Sequence, residues 1–96
     1  MNRNDIIKAF LDRTTDSAVA SSLRIQGNKL FSYNTVIAQW EPELLIINRT
    51  RYSVTTSRQQ NEVARKAHAR VWNYVAITEI RDNVKIDTQD LKQFVV

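Results

Sequence analysis

The sequence predicts a single α+β domain: an N-terminal helix, an antiparallel β-meander of about four strands, a helix packed on the sheet, and a C-terminal hairpin or short helix. Three observations carry this prediction. Apolar residues recur at helical spacing near the N-terminus and again after Ser57, the stretch from Leu23 to Thr55 is rich in strand-forming residues broken by turn residues, and 96 residues leave room for one modest core.

In chain order, Ile6, Ile7, Phe10 and Leu11 place one apolar face on a helix over Asn4 to Arg13, with Asn4 or Asp5 serving its N-terminus. Thr14-Thr15-Asp16-Ser17 competes with the helical backbone and stops it. Ala18 to Ser22 carries no pattern. Leu23 and Ile25 alternate up to Gly27-Asn28, a pair suited to the positive φ of a tight hairpin. A second strand begins at Lys29 and is expected to run to Trp40, a length at which a bulge is anticipated. Glu41-Pro42-Glu43 makes a turn, Leu44 to Ile47 a buried third strand, Asn48 to Arg51 a turn, and Tyr52 to Thr55 a fourth strand.

Ser57-Arg58-Gln59-Gln60 has the form of a capping box, so a helix is expected to start at Ser57. Its apolar stripe is Val63, Ala64, Ala67, Val71, Tyr74 and Val75. From Tyr74 to Ile80 the β-branched residues fit either a continued helix or a strand, with Arg81-Asp82-Asn83 as a turn and Val84-Lys85-Ile86 as the return. Thr88 is positioned to cap a last short helix reaching Phe94.

Composition narrows the function classes. The absence of cysteine excludes disulfides, thiolate metal sites and cysteine nucleophiles. With one glycine, the Gly-rich phosphate loops are excluded as well. The opening Asn2-Arg3-Asn4-Asp5 does not read as a signal peptide, and the longest apolar runs fall far short of a membrane span, so a cytoplasmic protein is expected. The formal net charge is +4, and its location matters more than its size. Arg49, Arg51, Arg58, Arg65, Lys66 and Arg70 stand against Glu62 alone, while the flanking segments are nearly neutral. A localised basic stretch fits phosphate or an acidic protein surface.

Arg49, Arg51, Arg58, Arg65, Lys66 and Arg70, with Tyr33 and Tyr52 as aromatic anchors, are therefore the candidate partner-binding residues. Thr55, Thr56 and Ser57, three hydroxyls ahead of a helix start, are the candidate anion-binding group, set against the plainer reading that Ser57 only caps the helix. Trp72, Tyr74 or Tyr52 would add stacking surface if the partner were a nucleic acid, although aromatics at a helix end usually belong to the core. Catalysis has a thin inventory. His68 is expected on a helix surface, and Glu41 and Glu43 read as a solvated turn. No cofactor, metal or catalytic residue is expected, and a deep pocket joining Tyr33, Thr55, Ser57 and Arg58 would be needed to reopen that reading.

Two segments, Ser32-Tyr33-Asn34-Thr35 and Tyr52-Ser53-Val54-Thr55-Thr56-Ser57-Arg58-Gln59-Gln60, carry a family likeness. The chain resembles a small uncharacterised domain of bacteriophages and mobile elements that pairs a SYxT strand with a YSxTTSxxQ strand-to-helix junction, with His in many relatives where Gln59 stands here. The resemblance implies a phage accessory protein of unassigned activity. Such proteins often bind and block a host factor, as anti-CRISPR proteins and other anti-defence inhibitors do. The partner expected on that basis is a host protein or nucleoprotein complex, with direct nucleic-acid binding through Arg49 to Arg70 as the alternative and a virion role through an uncovered sheet edge as a third.

Overall fold

The computed structural model describes residues 1–77 and 91–94. Helix α1 (Arg3–Asp12) precedes five strands, β1 (Ser17–Ala20), β2 (Leu23–Gln26), β3 (Lys29–Ser32), β4 (Thr35–Trp40) and β5 (Leu45–Asn48). Helix α2 (Val54–Arg70) then leads to β6 (Tyr74–Ile77), and a short 3-10 helix spans Leu91–Phe94. The six strands form one sheet in chain order, antiparallel except for the parallel pair β5–β6. The fold is α+β as expected, with six strands among the described residues where about four were anticipated.

Two of the three two-residue hairpin loops account for most of that difference. Ser21, Gly27 and Tyr33 each open a hairpin loop with φ of 58°, 63° and 55°. Gly27-Asn28 was legible because glycine takes that φ without cost. Ser21 and Tyr33 are not the usual residues there, so Ala18 to Ser22 hid strand β1 and its turn, and the strand expected over Lys29 to Trp40 divides at Tyr33-Asn34.

The anticipated bulge is present. Leu30 pairs with Ala38 and Phe31 with Val36, leaving Ile37 as the extra residue. Both Ile37 and Ala38 therefore join the helix-side core, and every later residue of β4 changes face. Trp40 reaches the helix side, where its indole N–H donates to the Phe10 carbonyl at 3.0 Å and the Arg13 guanidinium lies 4.8 Å from its ring centroid.

Both helices cover one face of the sheet: α1 lies against α2 and over β1 and β2, and α2 lies over β5. Ile6, Ile7, Phe10 and Leu11 of α1 pack with Leu23, Leu30, Leu45, Ile47, Val63 and Ala67. The opposite face holds a smaller cluster of Phe31, Val36, Ile46, Ile77 and Leu91. Leu91 is fixed there by its backbone N–H, which donates to Gln39 Oε1 at 3.0 Å.

Helix ends differ from expectation by small, explicable steps. Asn2, not Asn4 or Asp5, caps α1, its Oδ1 accepting from the Asp5 N–H at 2.8 Å. Ser53, not Ser57, caps α2, so no strand forms over Tyr52 to Thr55. Starting one turn earlier adds Thr56 to the buried stripe continued by Gln59, Gln60, Val63 and Ala67, which outweighs the strand preference of the threonines. The helix stops at Arg70; Tyr74 and Val75, expected on its stripe, belong to β6 instead. The expected Arg81-Asp82-Asn83 turn, the Val84 to Ile86 return and the Thr88 cap lie outside the described residues.

Candidate functional site

The junction between β3 and α2 is built from hydroxyls and amides of the two motif segments. Ser53 Oγ accepts from the Thr56 N–H at 3.2 Å and donates to Thr56 Oγ1 at 3.2 Å. Thr56 Oγ1 in turn shares a hydrogen bond with Ser32 Oγ at 3.2 Å. The Ser32 hydroxyl donates to Gln59 Oε1, and the Gln59 amide donates to Ser22 Oγ at 2.5 Å. Gln60, expected to reach back to the cap, instead donates to the carbonyls of Asn48 and Thr50 at 2.7 and 2.8 Å. An amide at position 59 can donate and accept at once, which is what a bridge between Ser22 and Ser32 requires.

This network changes the status of the anion-binding candidates. Thr55, Thr56 and Ser57 lie inside the first turns of α2, successive residues about 100° apart around the axis. Thr56 is buried and occupied by Ser32 and Ser53, Ser57 is half-buried, and Thr55 alone opens onto a cleft. That cleft, of about 470 Å³, is lined by Asn2, Arg3, Ser21, Ser22, Tyr33, Thr55 and Gln59 among others. Tyr33 and Thr55 thus share a concavity, whereas Ser57 and Arg58 do not line it.

A model of a family of unknown function, DUF8033, matches residues 6–78. The chain belongs to that family. The DUF8033 match starts within α1 and runs one residue past β6, so it takes in the whole sheet, the body of both helices and both motif segments. No curated protein and no solved structure matches the chain.

Within the DUF8033 span the basic residues separate into engaged and unengaged sets. Arg65 and Lys66 share Glu62, at 2.7 and 4.0 Å, and Arg70 pairs with Asp12 at 3.8 Å. Arg49 donates to Asn61 Oδ1 at 3.0 Å. Arg51 and Arg58 are exposed and have no carboxylate partner among the described residues. Arg58 and Arg65, seven residues apart, occupy one face of α2 and line a groove of about 300 Å³ with Asn61, Glu62 and Arg3 of α1.

Among the aromatic candidates, Tyr33 is 60% exposed and stands on the left-handed turn residue. Tyr52 is half-buried against the far-side cluster, its hydroxyl accepting from Asn48 Nδ2 at 3.1 Å. Trp72 is 93% exposed just beyond α2, where a core role would have buried it. Tyr74 packs on the helix-side core and meets the exposed His68 at 3.1 Å. Glu41 and Glu43 pair with Lys92 and Arg13 at 3.3 and 3.8 Å. Sequence reasoning missed Arg3 and Arg24, because each is remote in sequence from the basic segment and joins the site through the fold.

No helix of the described residues is long and apolar enough to cross a membrane, and no cluster of metal-ligating side chains occurs among them.

Proposed function

We propose that the protein is a non-enzymatic, phage-type accessory protein that binds a host macromolecule and inhibits or regulates it, in the manner of an anti-CRISPR or other anti-defence inhibitor. The supporting observation is the outer face of α2, where Arg58 and Arg65 share a groove with Arg3 and one carboxylate, Glu62. Exposed arginines on a rigid helix, Arg58 with no carboxylate partner among the described residues and Arg65 paired with Glu62, are well suited to binding carboxylate or phosphate groups on a partner. The partner class is a host protein or nucleoprotein complex in the host cytoplasm, and the basic balance disfavours a mechanism of nucleic-acid mimicry, which needs an acidic face. Exposed Tyr33, which shares a cleft with Arg3, and Trp72, exposed just beyond α2, supply aromatic anchors.

The test is affinity capture from bacterial lysate at two salt concentrations, comparing the tagged protein with an Arg58→Glu, Arg65→Glu variant of unchanged circular dichroism. The reading expects a stoichiometric partner captured by the parent and lost by the variant. Equal capture by both removes the α2 face from the interface.

A further inference from the structure

Three clefts follow one another across the surface. The first, about 610 Å³, is lined by Val19, Ser21, Ser22, Arg24, Tyr33 and Asn34. The second, about 470 Å³, shares Ser21, Ser22 and Tyr33 with the first and adds Arg3. The third, about 300 Å³, shares Arg3 with the second and adds Arg58 and Arg65. Tyr33 therefore stands at the first divide and Arg3 at the second.

From this succession we propose that a single-stranded nucleic acid lies along the track from Arg24 and Tyr33 past Arg3 to Arg58 and Arg65. The inference rests on the binding-protein reading above and names its partner. Charge complementarity is the first argument: among the described residues no carboxylate lines the first two clefts, Glu62 alone lines the third, and arginine lines all three. Each cleft has the volume of a small-molecule site, roughly 300–1,000 Å³, so the track is shaped for a polymer of small units.

Tyr33 supplies the second argument. It holds a left-handed φ of 55°, a strained choice for a tyrosine, and its N–H is clamped to the Ser22 carbonyl at 2.8 Å. The strain sets an exposed ring between two arginine-lined clefts, the arrangement in which an unpaired base stacks while phosphates meet cations on either side. Arg24 brings a cation to the first cleft, its guanidinium 4.2 Å from the Phe31 ring centroid on the face of the sheet away from the helices.

Fluorescence anisotropy of a labelled oligo(dT) of about 12 nucleotides, a length within known single-strand site sizes, tests the proposal. Binding is expected to weaken with salt, and Tyr33→Ala to lower affinity about tenfold while Tyr33→Phe retains it. Arg3→Gln and Arg58→Gln are each expected to lower affinity and to flatten the salt slope by about 0.7. Lys92→Gln, at a residue that lines none of the three clefts, is expected to change neither. Absent binding, equal affinity for a duplex of the same sequence, or indifference to Tyr33→Ala at unchanged melting temperature overturns the assignment. A protein partner that survives nuclease treatment in the lysate capture, with no oligonucleotide bound, overturns it and leaves the parent reading standing; loss of both overturns both.

Discussion

Ser32 on β3 and Thr56 on α2 share a buried hydrogen bond at 3.2 Å, and through it the two motif segments of the chain meet. The SYxT and YSxTTSxxQ pattern is thereby given a structural meaning: one segment turns the sheet, the other starts the helix, and the serine of the first is bonded to the first turn of the second. Removing the Ser32 hydroxyl leaves Gln59 Oε1 without its donor in a buried setting. Ser32→Ala is expected to cost about 1–3 kcal/mol, read as a lower urea midpoint at constant slope.

The two serines that could cap α2 are separable by experiment. Ser53 Oγ accepts from the Thr56 N–H, whereas Ser57 lies within the helix and its N–H donates to the Ser53 carbonyl at 2.9 Å. Ser53→Ala is expected to cost about 1 kcal/mol and Ser57→Ala less than about 0.5 kcal/mol, measured by thermal unfolding.

Stability and binding should respond with opposite sign at Tyr33. Asparagine tolerates the left-handed φ better than tyrosine, so Tyr33→Asn is expected to stabilise the fold by about 0.5 kcal/mol. The same substitution removes the exposed ring and is expected to weaken oligonucleotide binding. Paired melting and anisotropy measurements on one sample decide the point.

Glu62 restrains two cations of the α2 face at once. Glu62→Gln releases Arg65 and Lys66 and removes the one carboxylate of the third cleft. The expected result is tighter binding of a polyanion with a steeper salt dependence, and a stability change within about 0.5 kcal/mol, as for other solvent-accessible pairs.

Some elements were written plainly in the sequence, and others were decided by burial. Helix α1, the Gly27-Asn28 hairpin and the strand through Leu45, Ile46 and Ile47 each follow from a local pattern. The hairpins at Ser21 and Tyr33 do not, because their residue types advertise no positive φ and only the sheet around them fixes it. Ser57, one helical turn after Ser53, reads as the cap in the sequence; the burial of Thr56 settles that Ser53 is used instead. For the site, the arginine excess of residues 49–70 was visible, but its division was not. Arg70 is drawn to Asp12 and Arg65 to Glu62 by tertiary and helical neighbours, while Arg3 and Arg24 join Arg58 and Tyr33 only when the N-terminus and the sheet are brought together.

The parallel pairing of β5 with β6 sets an order of assembly. Strands β1 to β4 close through two-residue hairpins, which form quickly and at little entropic cost, and β5 follows by a short turn. Strand β6 can dock only after the segment between residues 48 and 74 has wound into α2 and crossed the sheet. Until then Leu45, Ile46 and Ile47 form an unpaired apolar border, the kind of border through which nascent chains adhere to one another. Strand β6, brought to that border by the helix that carries the arginines, is thus the chain's delayed guard against aggregation, and a change that slows the winding of α2 is expected to be felt first as lost yield of folded protein.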